Sequence, residues 1–220
     1  MKYSIKTSLI ALLGFGLAAC SEQPTPQSTA VYMLIDTSGT YTQELDKAQK
    51  IINYLLMTLD GGDSLAVARI DSGSFSEKDI IARTTFDTRP SKTNEQKRSF
   101  KHAIDEFISH NKKGSAHTDI SGGMLQAVEF LNETGADQKY IFIFSDLEEE
   151  LAKGHVRDFT IPLVDVNVAA LNVTKLRRDN VNPQDYLDRL NQWEAKVNQG
   201  GGEWKVINDL ERVNHLLKPG

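Results

Sequence analysis

The chain has 220 residues, with 25 basic and 30 acidic side chains, and its formal net charge at pH 7 is −5. This length suits one folded domain behind a short N-terminal segment. The acidic balance and the lack of a basic tract argue against a nucleic-acid partner. The single cysteine excludes an intramolecular disulfide bond.

The N-terminal segment, residues 1–19, has the pattern of a signal peptide. Lys2 and Lys6 form a basic start, and the apolar run over residues 9–17 is too short to span a membrane as a mature helix. The segment ends in LAAC, which resembles the bacterial lipobox, whose cysteine becomes the lipid-bearing N-terminus. This resemblance implies acylated Cys20 and a lipid-anchored place in the bacterial cell envelope, at the outer membrane, its periplasmic face or the cell surface. An ordinary signal peptide and a free thiol are the alternative.

Residues 20–29 are polar, contain two prolines and show no periodicity, so we expect a linker. At about 3.3 Å per residue it extends over at most about 30 Å. Residues 30–218 then form the folded domain, and its anchor holds it near a membrane surface.

Strands and helices alternate along this domain. The apolar run over residues 31–35 predicts a strand buried on both faces. A stripe of apolar residues from Leu45 to Leu59 predicts the first helix. Two strands over residues 65–70 and 80–86 are joined closely enough to pair antiparallel.

The second half continues the alternation. A second helix turns Phe100 and Ile104 inward, and a third runs from Ile120 to Leu131. The later elements are predicted to be a buried strand over residues 140–144, a fifth strand in which Val164, Val166 and Val168 alternate, a helix around Trp193, a strand over residues 203–207 and a terminal helix.

This order of elements predicts an α/β fold with a doubly wound, mainly parallel sheet and helices on both faces. Ligands of such sheets bind beyond the carboxyl ends of the strands. Two buried strands run directly into aspartates, the first into Asp36 and the later one into Asp146. We therefore expect both carboxylates at one edge of the sheet.

The stretch VYMLIDTSGT, residues 31–40, suggests three chemistries. An aspartic protease half-site needs glycine where Ser38 stands and a second copy elsewhere, so it is excluded. LIDTSGT also resembles the haloacid-dehalogenase motif, in which Asp36 would be the nucleophile. Ser38 occupies the position of the general acid, and a hydroxyl cannot supply a proton near neutral pH. A divergent, metal-dependent phosphohydrolase remains the alternative function.

The third chemistry is a metal site. Asp36, Ser38 and Thr40 alternate after the first strand, Thr118 precedes a helix in GSAHTDISGG, and Asp146 follows the strand in IFIFSD. In this order these residues resemble the metal-ion-dependent adhesion site of von Willebrand factor A domains. The resemblance covers residues 30–218 and implies a six-stranded sheet in the order 3-2-1-4-5-6.

The resemblance also implies a function. A divalent cation, Mg²⁺ or else Mn²⁺, is expected at these five residues, since both ions prefer oxygen ligands. An open coordination position would accept an acidic group of a protein partner. The chain is then a binding module for adhesion or assembly and not an enzyme.

A purely structural interpretation is also available. Asp36 could cap the first helix, Thr118 or Asp119 could cap the third, and Asp146 could be a turn residue. The acidic run over residues 148–150 is expected to be a solvated face.

Overall fold

The computed structural model describes residues 27–39, 41–71, 73, 75–110, 114–209 and 217. Several predicted features lie outside these residues. They are the signal peptide, Cys20, most of the linker, Thr40 and nearly all of the terminal helix. Within these ranges, no helix combines the length and the apolar character needed to cross a membrane.

A six-stranded sheet forms the centre of the domain, in the order β3-β2-β1-β4-β5-β6. Only β2 and β3 pair antiparallel, and the other neighbours are parallel. The predicted fold class, strand order and antiparallel pair are therefore confirmed. The strands are β1 (Thr29–Asp36), β2 (Ser64–Ile70), β3 (Ile80–Thr85), β4 (Gln138–Phe144), β5 (Val166–Leu171) and β6 (Glu203–Ile207).

Both faces of the sheet are covered by helices. They are α1 (Leu45–Thr58), α2 (Pro90–His110), α3 (Ile120–Thr134) and α4 (Pro183–Gln199), with 3-10 turns over Thr42–Glu44, Glu77–Asp79 and Arg177–Asn180. Buried residues of α1 and α2 belong to one apolar core, and those of α3 and α4 belong to the other.

Strand β1 separates the two cores. Its six residues from 30 to 35 are fully buried. Tyr32 and Leu34 pack with α3 on one face, while Met33 and Ile35 pack with α1 on the other. Alternate side chains of a strand point to opposite faces, and here both faces are covered. Every residue of the run is therefore apolar, as the sequence predicted.

The fifth strand begins later than predicted. It starts at Val166, and Val164 lies outside it with 68% of its surface exposed. Asp165 has a left-handed backbone with φ of 61°, and the Val166 amide donates to Leu163 O, so a turn occupies these positions. The alternation of valines therefore extended the predicted strand across a turn.

Candidate functional site

Asp36 ends the central strand β1 and is almost fully buried. Its Oδ1 accepts a hydrogen bond from the Ser38 amide at 2.8 Å, and its Oδ2 accepts one from Ser145 Oγ at 2.7 Å. Helix α1 begins at Leu45 after Glu44, with no side-chain cap. The interpretation of Asp36 as a helix cap is therefore wrong, and its carboxylate lies between the ends of β1 and β4.

Asp146 lies at the same edge because of the strand register. Ile35 in β1 is aligned with Phe144 in β4, and Asp146 follows two residues later. The Asp146 side chain is buried, and the Glu148 amide donates to its Oδ1 at 2.9 Å. Within the described part of the chain, its Oδ2 accepts no hydrogen bond.

Both carboxylates have raised pKa values. Burial is the largest cause for Asp36, and hydrogen bonds from Ser145 and Ser38 oppose it. Burial also raises the pKa of Asp146, to about 6, and the negative charge of Asp36 adds to this effect. Among the described residues, no lysine or arginine forms an ion pair with either carboxylate. The charge of Arg189 lowers the pKa of Asp146 without forming an ion pair with its carboxylate, and the two buried acids still repel each other, an arrangement that favours a bound cation.

Thr118 reaches this edge from the loop before α3. Its backbone forms two hydrogen bonds with Glu150, of 2.8 and 3.0 Å, and these hold it against the segment that follows Asp146. The residue is 4% exposed. Among the described residues, no group makes a hydrogen bond with the Thr118 hydroxyl. A buried hydroxyl without a protein partner is unusual, because burying it costs free energy.

The cap of α3 is supplied by Asp119. Its Oδ1 accepts from the Gly122 amide at 2.8 Å, and Arg157 forms an ion pair with the same carboxylate. Of the two caps considered from the sequence, Asp119 is therefore correct. The Thr118 hydroxyl is left for another role.

Ser38 extends the site on the other side of Asp36. A parallel bridge joins Ser38 to Ser115, and the Ser115 amide donates to Thr37 O at 2.7 Å. A side chain at Gly114 would come within 2.5 Å of the backbone of Gly39, so glycine permits this close approach. Three loops thus meet at this edge. Thr40 lies outside the described residues, and its role as a ligand stays a prediction.

Two parts of the acidic run after Asp146 are engaged. Glu149 accepts hydrogen bonds from the Ser121 amide at 2.6 Å and from Ser121 Oγ at 3.0 Å. Glu148 forms an ion pair with Arg178. The expectation of a solvated face is therefore wrong for Glu148 and Glu149, and it holds for Glu150, which is exposed.

Three residues that were not predicted from the sequence support the site, namely Ser145, Arg189 and Trp193. Ser145 holds Asp36, Arg189 donates to the Asp146 carbonyl, and Trp193 donates to the Leu147 carbonyl. A hydroxyl directly before the strand-end aspartate was a usable signal for Ser145. The sequence contains no signal that links Arg189, 43 positions away, to Asp146.

The donor set fits a hard cation. In the described ranges, no three His, Cys, Asp or Glu side chains converge in a metal-binding group. The candidate donors at this edge are instead two carboxylates, the Thr118 hydroxyl and the Ser38 hydroxyl. Oxygen donors suit Mg²⁺ or Mn²⁺, whereas structural zinc sites use thiolate and imidazole ligands.

Comparisons with known proteins find similarity in structure and none in sequence. No protein-family model and no curated protein matches the sequence. An aerotolerance-related membrane protein from Bacteroides fragilis, solved with multiple mutations to serines, has a TM-score of 0.47 and is 14% identical, over 86% of this chain and 97% of its own. BatB from Bacteroides thetaiotaomicron has a TM-score of 0.44 and is also 14% identical, over 86% of this chain and 95% of its own.

The human COPII-coat protein Sec24c is a third similar structure. Its TM-score is 0.47 and it is 10% identical, over 85% of this chain and 30% of its own. At these identities and TM-scores the likeness carries no conclusion about the site. The candidate site therefore depends on the contacts of this chain's own residues.

Proposed function

We propose that this chain is a membrane-anchored, protein-binding module whose contacts depend on a divalent cation, Mg²⁺ or Mn²⁺. The observation that supports it is the pair of buried carboxylates, Asp36 and Asp146, with which no basic side chain among the described residues forms an ion pair. The buried Thr118 hydroxyl adds a neutral oxygen that has no hydrogen-bond partner in the described ranges.

The chain's own groups would hold the ligands ready. Ser145 Oγ and the Ser38 amide fix the two oxygens of Asp36, and the Glu148 amide fixes one oxygen of Asp146. The Ser38, Thr40 and Thr118 hydroxyls would complete the donor set. When bound, the cation supplies positive charge and an open coordination position for a carboxylate of the partner.

A binding role suits Asp36 better than a nucleophilic role. Both of its oxygens accept hydrogen bonds, and only 1% of the residue is exposed. A nucleophile must contact the phosphorus directly and, in phosphohydrolases, needs an acid for the leaving group, whereas a carboxylate can hold a cation through an intervening water. Ser38 stands where that acid would be.

Capture of a partner from envelope extract tests the proposal. Wild type and Thr118→Val are immobilised, and extract is applied with Mg²⁺ or with EDTA. We expect a protein that is retained by wild type in Mg²⁺, released by EDTA and not retained by the variant. Its retention should also require an acidic residue at the contact, which is identified by Asp→Asn or Glu→Gln substitution. Equal retention in all four conditions would refute a cation-bridged contact.

The phosphohydrolase hypothesis is tested with an aryl phosphate substrate. Phosphate release that depends on Mg²⁺ and is lost in Asp36→Asn would replace the binding proposal. We expect no release above background.

A further inference from the structure

Arg189, on helix α4, connects this helix to the loop that carries Asp146. The residue is 7% exposed, and its Nε donates to the backbone carbonyl of Asp146 at 2.9 Å. Its two terminal nitrogens donate to the carboxylate of Asp179, at 3.3 and 2.7 Å. Asp179 is itself buried and accepts from the Leu176 amide at 2.8 Å. One guanidinium therefore uses three donors in two fixed directions.

The loop that Arg189 contacts has a constrained backbone. Leu147, directly after Asp146, has a left-handed conformation with φ of 66°, which a branched side chain rarely adopts. Trp193, one turn along α4 from Arg189, donates its indole N–H to the Leu147 carbonyl at 3.0 Å. The Leu147 amide donates to Ser145 Oγ at 3.0 Å. Such a conformation persists only where surrounding contacts hold it.

This turn determines the direction of the Asp146 side chain. The Glu148 amide can donate to Asp146 Oδ1 because the backbone reverses at Leu147. Helix α4 holds both carbonyls at the reversal, that of Asp146 through Arg189 and that of Leu147 through Trp193. Movement of α4 relative to the sheet would therefore reorient the carboxylate.

We propose that Arg189 is a positioning residue for the candidate cation site, holding the Asp146 loop in the conformation that presents its carboxylate. The inference rests on the proposed function where it concerns the cation. Lysine cannot replace arginine here, because a single ammonium group cannot span the Asp146 carbonyl and both oxygens of Asp179 in the same planar geometry. The position of α4 is thereby coupled to the affinity of the site.

Amide hydrogen exchange of the full chain, without added metal, tests the positioning step directly. In Arg189→Lys we expect the Glu148 amide to lose protection, while an amide elsewhere, such as that of Phe86, keeps it. Phe86 donates to Asp63 O at the opposite end of β2. An equal loss of protection at both amides would indicate general destabilisation and overturn the inference, as would unchanged protection at Glu148.

Titration with Mn²⁺ tests the consequence. Loss of groups that orient metal ligands weakens metal binding by about 10- to 100-fold, and we expect this range for Arg189→Lys. The control is Arg89→Lys, because Arg89 also donates through Nε and a terminal nitrogen to one aspartate, Asp87, at 2.8 and 2.6 Å, after β3 at the opposite edge of the sheet. The control should bind Mn²⁺ like wild type.

The outcomes separate the two proposals. If wild type binds Mn²⁺ and Arg189→Lys binds it equally well, the positioning role is refuted while the proposed function stands. If wild type binds no Mn²⁺ but the Glu148 amide still loses protection in the variant, the proposed function fails and the positioning of Asp146 is supported. If Arg189→Lys does not fold, a double variant that combines Arg189→Met with Asp179→Asn replaces it in both measurements. This variant removes both charges and keeps an oxygen at position 179 for the Leu176 amide.

Discussion

Thr118 and Thr37 provide a matched pair of buried threonines. Both are nearly inaccessible, with exposed fractions of 4% and 3%. The Thr37 hydroxyl donates to the carbonyl of Ile70 at 3.0 Å, which fastens the end of β1 to the end of β2. The Thr118 hydroxyl makes no hydrogen bond within the described residues. Valine, nearly the same shape, removes each hydroxyl in turn.

We expect Thr37→Val to lower the metal-free stability and Thr118→Val to lower the stabilisation by Mg²⁺. Thr37→Val leaves a buried carbonyl short of a donor, which costs about 1–3 kcal/mol of unfolding free energy. In a domain of this size each kcal/mol lowers the melting temperature by about 2–4 °C. Thr118→Val breaks no hydrogen bond among the residues that the structure describes, and the metal-free protein should change little or become more stable. Its methyl group cannot bind a cation.

Thermal melts with and without Mg²⁺ measure both effects. For wild type, Mg²⁺ at 100 times its dissociation constant should add about 2.7 kcal/mol. We expect Thr37→Val to keep this increment and Thr118→Val to lose most of it. If Thr118→Val is as destabilised as Thr37→Val without metal and retains the full Mg²⁺ increment, the hydroxyl has a structural role and the site assignment is wrong.

Three further predictions concern charge and anchoring. The pKa of Asp146 is raised from 3.8 to about 6, so the metal-free folded state binds the extra proton, and stability should fall as pH rises from about 4 through about 6. Asp146 accounts for about 3 kcal/mol of this loss, so Asp146→Asn should reduce the slope in urea unfolding. The raised pKa of Asp36 leaves a remaining slope of the same sign, and a slope unchanged in Asp146→Asn would place its origin elsewhere. Glu149→Gln should cost about 1 kcal/mol, since it weakens the contact with Ser121, and should leave the Mg²⁺ increment intact; loss of the increment would instead place the ion at Glu149. Cys20→Ser should move the protein out of the membrane fraction, and unchanged fractionation would exclude a lipid anchor.

The sequence predicts the fold well because the segments with the clearest hydrophobic patterns are the buried strands. β1 is continuously apolar over residues 30–35 and β4 over residues 140–144, since both have neighbours on either side and helices on both faces. Such runs have few alternative interpretations. The order of the strands came from the family resemblance and not from these patterns.

The predicted site is less complete, for a physical reason. A strand that ends in aspartate identifies Asp36 and Asp146, because local sequence sets where each strand stops. The contacts that orient their oxygens come from distant elements, as Ser145 shows for Asp36 and Arg189 for the Asp146 loop. Hydrogen bonds over 109 and 43 positions leave no local pattern in one sequence.

The N-terminal end of β1 receives the predicted linker, and its C-terminal end carries Asp36. This distance between the linker and the candidate site suits a binding module that is tethered to a membrane. Ser28 lies just before β1. Its amide donates to the Asp137 carboxylate, and its carbonyl accepts from the amides of Asp137 and Gln138. Asp36 closes the opposite end, and eight residues of strand at about 3.3 Å each put roughly 26 Å between the two. Residues before Ser28 therefore join the domain at the edge away from Asp36 and Asp146. A lipid on Cys20, as predicted, would hold the amino edge of the sheet toward the membrane and leave the candidate cation site open to a partner on the other side.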